Sequence, residues 1–226
     1  MQLSLTQLPS RTLLLLLLSN LLLWENVASV PMCAARNGRC FVSLEDMFYF
    51  AGTFSHEVSV EISTLFSLFV EHYAEIHKVN DTGLSTCHTS SVSIPGNKEK
   101  AKNTHYAVLL KSVNTLLIAW EHPLEHLVST ISTLRNIPAA IISKARRVKE
   151  KNTSLHQGFN SIISLVLRGD EKEEKYPTWS GLASLQSKNE DARIWAFYNM
   201  IRCLDNDFKK IDINLNALKN NLQKSC

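Results

Sequence analysis

Residues 194–222 of the chain, IWAFYNMIRCLDNDFKKIDINLNALKNNL, carry the clearest structural signal in the sequence. Apolar residues recur there at spacings of three and four, namely Ile194, Phe197, Ile201, Leu204, Phe208, Ile211, Leu215, Leu218 and Leu222. Because a helix has 3.6 residues per turn, this spacing places them all on one face. We predict an amphipathic helix of about 30 residues, about 45 Å long.

Three earlier apolar stripes have the same helical period. Their residues are Met47, Ala51, Phe54, Val58, Ile62, Leu65, Phe69, Tyr73 and Ile76; Leu109, Val113, Leu116, Trp120, Leu124, Leu127, Ile131 and Leu134; and Ile141, Ala145, Val148, Leu155, Phe159, Ile162 and Val166. Pro123 predicts a kink in the second of these helices, since proline has no N–H to donate. Asn136 and Pro138 are predicted to be the N-cap and a first-turn residue of the third.

The lengths of the connections predict the topology. About 28 residues separate the first helix from the second, and about 20 separate the third from the fourth, whereas only residues 135–137 join the second to the third. A helix parallel to its sequence neighbour needs a connection as long as the bundle. Long, short and long connections therefore predict an all-α fold, a long-chain four-helix bundle running up-up-down-down with two long crossover loops.

The first 29 residues read as a secretory signal peptide. Arg11 supplies the positive region, Leu13–Leu18 and Leu21–Leu23 the apolar region, and Val27 and Ser29 the small residues of a cleavage site before Val30. A membrane anchor is the alternative, but the apolar segment is shorter than the about 20 residues that span a bilayer. We expect a secreted, extracellular protein whose domain covers residues 30–226, with no membrane span in the mature chain.

Secretion makes disulfide bonds the expected state of the five cysteines. Two bridges and one leftover cysteine is the simplest count, and the sequence leaves all fifteen such pairings open. Cys33 and Cys40 flank the turn dipeptide Asn37-Gly38, so a local bridge between them is sterically easy.

Two glycosylation sequons, at Asn80 and Asn152, also fit secretion. Asn80 lies in a predicted loop, where a glycan meets no obstacle. Asn152 lies near the inward stripe of the third helix. Either it marks the edge of that stripe and carries a glycan, or it is partly buried and does not.

Composition and motifs argue against an enzyme, a nucleic-acid-binding protein or a metalloprotein. A formal net charge of +3 is too small to indicate nucleic-acid binding by itself. Because the chain has only seven glycines, few are available for a phosphate-binding loop. His122 and His126 fit the inverted zinc-protease pattern HxxEH, but the inward stripe leaves both histidines near its edge. We predict no enzyme activity, no cofactor and no metal site.

A basic cluster opens the third helix and has two interpretations. It consists of Lys144, Arg146, Arg147, Lys149 and Lys151. A solvated helix face is the simpler one, and binding of heparan sulfate at the cell surface is the alternative.

Several motifs resemble the prolactin and growth hormone family. Cys87-His88-Thr89-Ser90-Ser91, followed by Ile94-Pro95 and ending at Ala119-Trp120, resembles the first signature of that family. Residues 121–128 (EHPLEHLV), 140–145 (AIISKA), 176–186 (YPTWSGLASLQ) and 198–204 (YNMIRCL) are similar to prolactins. The N-terminal Cys33…Cys40 loop is prolactin-like, and residues 36–41 (RNGRCF) resemble the placental prolactin-like paralogues of rodents.

The resemblance implies two disulfides, Cys33–Cys40 and Cys87–Cys203. The first partner of the family's third bridge would fall at Asn220, which leaves Cys226 unpaired. Cys226 is then free, capped or in a disulfide with a second chain.

The resemblance also implies binding to a cytokine-class receptor ectodomain. His56, Lys210 and Asp212 match positions of a first receptor face, and Gly158 matches a second face, where the alternative is simple helix packing. Ser59, Asn206 and Asn214 stand where prolactins have a histidine, an arginine and a tyrosine. Because arginine and tyrosine are typical interface anchors, we expect a placental hormone that does not use the ordinary prolactin receptor. A true lactogen is the alternative.

Overall fold

The computed structural model describes residues 34–36, 39–73, 85–167 and 176–222. It divides into two units, residues 1–42 and 43–226. In the first unit, β1 (Ala34–Arg36) pairs antiparallel with β2 (Arg39–Phe41), with Arg36 opposite Arg39. This short hairpin is an addition to the predicted all-α fold.

The second unit is helical. Its helices are α1 (Leu44–His72), α2 (Lys98–Lys102), α3 (Tyr106–Ala119), α4 (Glu121–Thr130), α5 (Ala139–Val166), α6 (Leu182–Leu185) and α7 (Glu190–Leu222), with a 3₁₀ turn at Ile131–Thr133 after α4. The four predicted helices correspond to α1, to α3 with α4, to α5 and to α7. The predicted four-helix bundle is confirmed, with α1 and α7 in the most extensive contact.

Cross-helix pairs give the directions of the helices. The pairs of α1 are Ser55–Asp212 and Ser63–Asp205 with α7, and Glu57–Lys151 and Glu61–Lys144 with α5. The pairs of α4 with α5 are Glu121–His156 and Glu125–Lys149. In each set the residue number rises on one helix as it falls on the other, so α1 and α4 both run antiparallel to α5. Since α7 is also antiparallel to α1, the order is up-up-down-down, as the connection lengths predict.

The core follows the predicted stripes, with one shift in register. Every predicted apolar residue of α3 and α4 is buried, and so are those of α7 from Ile194 to Leu218. In α1, however, Met47 and Phe54 are only partly buried, whereas Ser55 and Ser59 face the interior. Ser55 is accommodated because its hydroxyl donates to the Gly52 carbonyl at 3.0 Å and to Asp212 at 3.1 Å.

The predicted kink lies at Trp120, where α3 ends and α4 begins. Pro123 has no N–H for the carbonyl of Ala119, four residues earlier. The imidazole of His88, from the first crossover, replaces the missing donor, because its Nε2 lies 3.1 Å from the Ala119 oxygen. The proline therefore creates the acceptor that holds the crossover against the helix.

The start of α5 differs from the prediction. Pro138, not Asn136, is the N-cap residue, and it gives no side-chain cap. Asn136 instead adopts a left-handed conformation with φ of 53°, which asparagine tolerates better than most residues. It makes the tight turn that the short connection after α4 requires.

The disulfide Cys87–Cys203 is present and joins the first crossover to α7. The signal peptide, Cys33, Asn80 and Cys226 lie outside the described residues, so the predictions on them stay predictions. Within the described part of the chain, no helix combines the length and apolar character that crossing a bilayer requires.

Candidate functional site

The seam between α1 and α7 holds two of the three residues predicted for the first face. His56 Nδ1 lies 3.1 Å from Asp212 Oδ2, and the His56 side chain is 66% exposed against 18% for Asp212. Asp212 Oδ1 accepts from Ser55 Oγ at 3.1 Å and from Asn216 Nδ2 at 2.7 Å. The carboxylate is thus held by its neighbours, and it orients an imidazole that points to solvent.

Lys210 lies on a different stripe of α7. Its Nζ is 3.4 Å from Asp207 Oδ1, next to the first crossover. The structure therefore joins His56 and Asp212 in one pair and does not bring Lys210 into it.

Asp207 is the centre of a buried polar network that the sequence analysis missed. Its Oδ2 accepts from Trp120 Nε1 at 3.0 Å and from the hydroxyl of Thr89. Asp207 is 2% exposed, and among the described residues Lys210 and these donors balance its charge. The ring of His88 packs edge-on against Trp120. Burial lowers the pKa of His88, opposed by its bond to the Ala119 carbonyl and by the charge of Asp207.

The three positions that depart from prolactins differ in exposure. Asn206 is exposed, but Ser59 and Asn214 are buried. Asn214 Nδ2 donates to the carbonyl of Pro95 at 2.8 Å and to that of Lys210 at 2.7 Å. The amide thus ties the first crossover onto α7.

Two aromatic side chains at the start of α1 were not predicted as site residues. Tyr49 and Phe50 are 48% and 49% exposed, with ring centroids 6.0 Å apart. Lys219 of α7 lies over the Tyr49 ring at 4.1 Å, so Tyr49 belongs to the same seam, and Phe50 is its exposed neighbour. The signal was present in the sequence, because the predicted stripe through Met47 and Ala51 leaves both aromatics on the outer faces.

Gly158 lies on the exposed side of α5. A Cβ built on it would meet nothing within 4 Å, so helix packing does not require a glycine here. The neighbouring surface is polar: His156 Nδ1 contacts Glu121 at 2.5 Å and its Nε2 lies 2.9 Å from Asn160 Nδ2. The position is a shallow notch of bare backbone open to solvent.

The basic cluster on α5 is largely paired with acids of neighbouring helices. Glu61 of α1 contacts both Lys144 and Arg147 at 3.1 Å. Lys149 contacts Glu125 at 2.6 Å, and this bond holds the pKa of Glu125 below its usual range. Lys151 lies 3.8 Å from Glu57. These pairings favour an internal structural role over an anion-binding face.

Asn152 is 1% exposed and lies in the inward stripe of α5. Its Oδ1 accepts no hydrogen bond from any residue that the structure describes. Of the two sequence-based alternatives, this burial fits the one without a glycan.

Four long helices in up-up-down-down order, joined by two long crossovers, define a long-chain helical hormone or cytokine. The chain belongs to the somatotropin hormone family, whose family model matches residues 16–226. It is 52% identical to mouse Prolactin-2C2 over 216 residues, which cover 96% of this chain and 95% of that protein. It is 53% identical to mouse Prolactin-2C3 over 92% of this chain and 91% of the relative, and 46% identical to rat Prolactin-2A1 over 97% and 96%.

Proposed function

We propose that this protein is a secreted, placental prolactin-like hormone that signals by binding a cytokine-class receptor ectodomain other than the ordinary prolactin receptor. The α1–α7 seam is its first binding face, with His56, Asp212, Tyr49 and Phe50 as contact residues and Lys210 at its margin. Membership of the hormone family and the exposure of this seam support the proposal. A rigid helical surface suits recognition because little order has to be gained on binding.

The observation that carries the choice of receptor is the burial of Asn214. A tyrosine at this position is a typical interface anchor. Here the residue is 0% exposed and holds Pro95 of the crossover, so it offers no area to a receptor. The anchors are displaced along the seam to Tyr49 and Phe50, whose rings bury large areas at low entropic cost.

The notch at Gly158 is the second binding face. Bare backbone lets a bulky side chain of a partner approach the helix axis more closely than any other residue would. A hormone engaged on both faces brings two receptor chains together, and their proximity is the signal.

The experiment measures binding of purified, labelled protein to the prolactin receptor ectodomain and to intact cells, with a prolactin as positive control. We expect saturable cell binding and no hormone-like affinity for the prolactin receptor. Phe50→Ala should weaken cell binding about tenfold, or about 1.4 kcal/mol. Val108→Ala is the control, because Val108 is an exposed apolar residue of α3, outside the α1–α7 seam.

Gly158→Arg tests the second face separately. The open space at Gly158 predicts a folded variant that still binds through the seam but no longer signals. Ser143→Arg, at an exposed position of the same helix, should signal normally. Tight binding to the prolactin receptor would make the protein a lactogen instead. Cell binding abolished by heparinase would favour the matrix-ligand alternative.

Cys226 offers one further form of the molecule, a disulfide-linked dimer. A non-reducing gel tests it: a band at twice the monomer mass that Cys226→Ser removes would establish the dimer. A band at monomer mass alone would exclude it.

A further inference from the structure

Two histidines on α4 point their outer nitrogens at each other. His122 and His126 are one helical turn apart, and their Nε2 atoms are 3.1 Å from one another. The ring centroids are 4.4 Å apart, with the rings nearly perpendicular. As the pair stands, one Nε2 donates a proton to the lone pair of the other, so both nitrogens already face one point.

A tryptophan from the second crossover holds this arrangement. The Trp179 ring stacks on His126 at 5.5 Å and lies 6.1 Å from His122. Its placement depends on Gly181, because a Cβ there would come within 2.7 Å of the indole. The histidine pair is therefore fixed from two sides, by the helix and by the crossover.

The distance between the nitrogens fits a chelated metal ion. Zinc binds imidazole nitrogen at about 2.0–2.1 Å, so two nitrogens at octahedral or tetrahedral angles lie about 2.8–3.4 Å apart. We propose that His122 and His126 form a chelating site for a divalent transition-metal ion such as Zn²⁺, which replaces the shared proton. This departs from the sequence-based expectation of no metal, because the HxxEH pattern does not show where the two rings point.

The histidine pair is accessible to solvent, since His122 is exposed and His126 half-buried. A groove of about 370 Å³ beside His122 is also lined by Glu125 and Asn152 among others. Among the described residues, no third His, Cys, Asp or Glu completes a metal-binding group. Glu125 is held by Lys149 at 2.6 Å, and Glu121 is held by His156. Water fills the other positions, so the ion exchanges readily and the site is not a catalytic centre.

The ligand chemistry also sets the selectivity. Imidazole suits Zn²⁺, Ni²⁺ and Cu²⁺, whereas Ca²⁺ and Mg²⁺ prefer oxygen ligands. We expect affinity to rise from Ni²⁺ to Cu²⁺ and to be negligible for Ca²⁺.

The test uses the secreted full chain, with Zn²⁺ titrated in a calorimeter and Ni²⁺ followed by tryptophan fluorescence. We expect one ion bound per chain and quenching of Trp179, which stacks on the site. Loss of an outer-shell partner lowers metal affinity about 10–100-fold, so loss of a ligand in His122→Gln should lower it at least about tenfold. Trp179→Phe should lose most of the quenching and keep zinc binding.

His72→Gln is the matched control, because His72 is an exposed histidine elsewhere on the bundle. It should bind Zn²⁺ as the natural chain does. Circular dichroism confirms that each variant is folded. The proposal is overturned if the folded His122→Gln, His126→Gln double variant binds Zn²⁺ with unchanged affinity, or if the natural chain binds none. Neither result bears on the receptor proposal, which concerns other faces.

Discussion

The carboxylate of Asp207 connects three segments that are distant in sequence. Thr89 comes from the first crossover, Trp120 from the break between α3 and α4, and Asp207 from α7. A buried charge is tolerated when it is paired and accepts several hydrogen bonds. Taking the carboxylate away leaves an indole N–H and a hydroxyl unpaired in the interior.

We therefore expect Asp207→Ala to lower the free energy of unfolding by about 3–5 kcal/mol, measured by urea denaturation. Asp207→Asn keeps one acceptor oxygen and should cost less. Asn206→Ala, at the exposed neighbouring position, should change stability by less than about 0.5 kcal/mol. Equal stability of Asp207→Ala and Asn206→Ala would show that the network contributes nothing.

His88 makes stability depend on pH. Burial lowers the pKa of its imidazole in the folded chain below its usual value of about 6.5. The unfolded chain then binds more protons, so stability is complete above about pH 6.5 and falls as the pH decreases toward the folded-state pKa. We expect the urea midpoint of the natural chain to drop more between pH 7.5 and 5.5 than that of His88→Gln. An identical drop in both would contradict the assignment.

The two sequons should behave differently. Asn152 is buried in α5, whereas Asn80 lies in the predicted first crossover. We expect Asn80→Gln to remove a glycan from protein secreted by mammalian cells and Asn152→Gln to leave the gel mass unchanged. Treatment with an N-glycosidase supplies the deglycosylated reference. A mass decrease in Asn152→Gln would show that the sequon is modified before α5 packs.

Single residues were the least predictable scale. The motif resemblance pointed correctly to Cys87 and Cys203, and it matched His56 and Asp212, which the structure pairs. Asp207 was missed because an aspartate beside the apolar stripe is usually solvated. Its burial becomes favourable only through hydrogen bonds from other segments of the chain. No periodicity in α7 reveals Thr89 or Trp120 as those partners.

Helices were the most predictable scale, because a long apolar stripe can be buried in only one way. The stripes of α3, α4 and α7 hold throughout the described core. The register of α1 was less certain, since apolar Met47 and Phe54 compete with Ser55 and Ser59 for the inner face. Ser55 takes it because its hydroxyl bonds the Gly52 carbonyl and Asp212, and Ser59 is small enough to be buried beside it.

The ion pairs between helices also determine how much positive charge α5 presents to an anionic ligand. Glu57 of α1 pairs with Lys151, and Glu61 is shared by Lys144 and Arg147. We expect the natural chain to leave a heparin column at low salt and the Glu57→Gln, Glu61→Gln double variant to need more salt. Elution at higher salt is expected because the substitutions free cations of α5 from their acidic partners, and the freed cations then bind heparin. The Glu45→Gln, Glu71→Gln double variant, at two exposed positions of α1, controls for the same change in net charge.

Retention of the natural chain well above physiological salt would contradict this account. It would show that the paired cations still bind sulfate groups, and it would favour the heparan sulfate alternative. An unchanged elution of the double variant would show that the acids do not mask the cluster.

At the scale of the whole molecule, the first crossover is attached to α7 along most of its described length. Cys87 bonds Cys203, Thr89 bonds Asp207, and the carbonyl of Pro95 accepts from Asn214. The residue numbers rise together on both segments, so this part of the crossover runs parallel to α7, and each contact joins residues more than 110 positions apart. Connection lengths predict such a crossover, but they do not say what fastens it.

The disulfide is the strongest of these attachments, because it acts on the unfolded chain as well. It joins residues 116 apart, and the chain-entropy model gives about 5 kcal/mol for closing a loop of that length. We expect the Cys87→Ala, Cys203→Ala double variant to lose at least about 2 kcal/mol of unfolding free energy, since engineered and native bridges often contribute less than the model gives. The variant should keep its helical circular dichroism, because Asp207 and Asn214 still hold the crossover on α7. The control Cys226→Ser should have the same unfolding free energy as the natural chain. If the Cys87→Ala, Cys203→Ala variant were as stable as this control, the polar contacts alone would hold the bundle together.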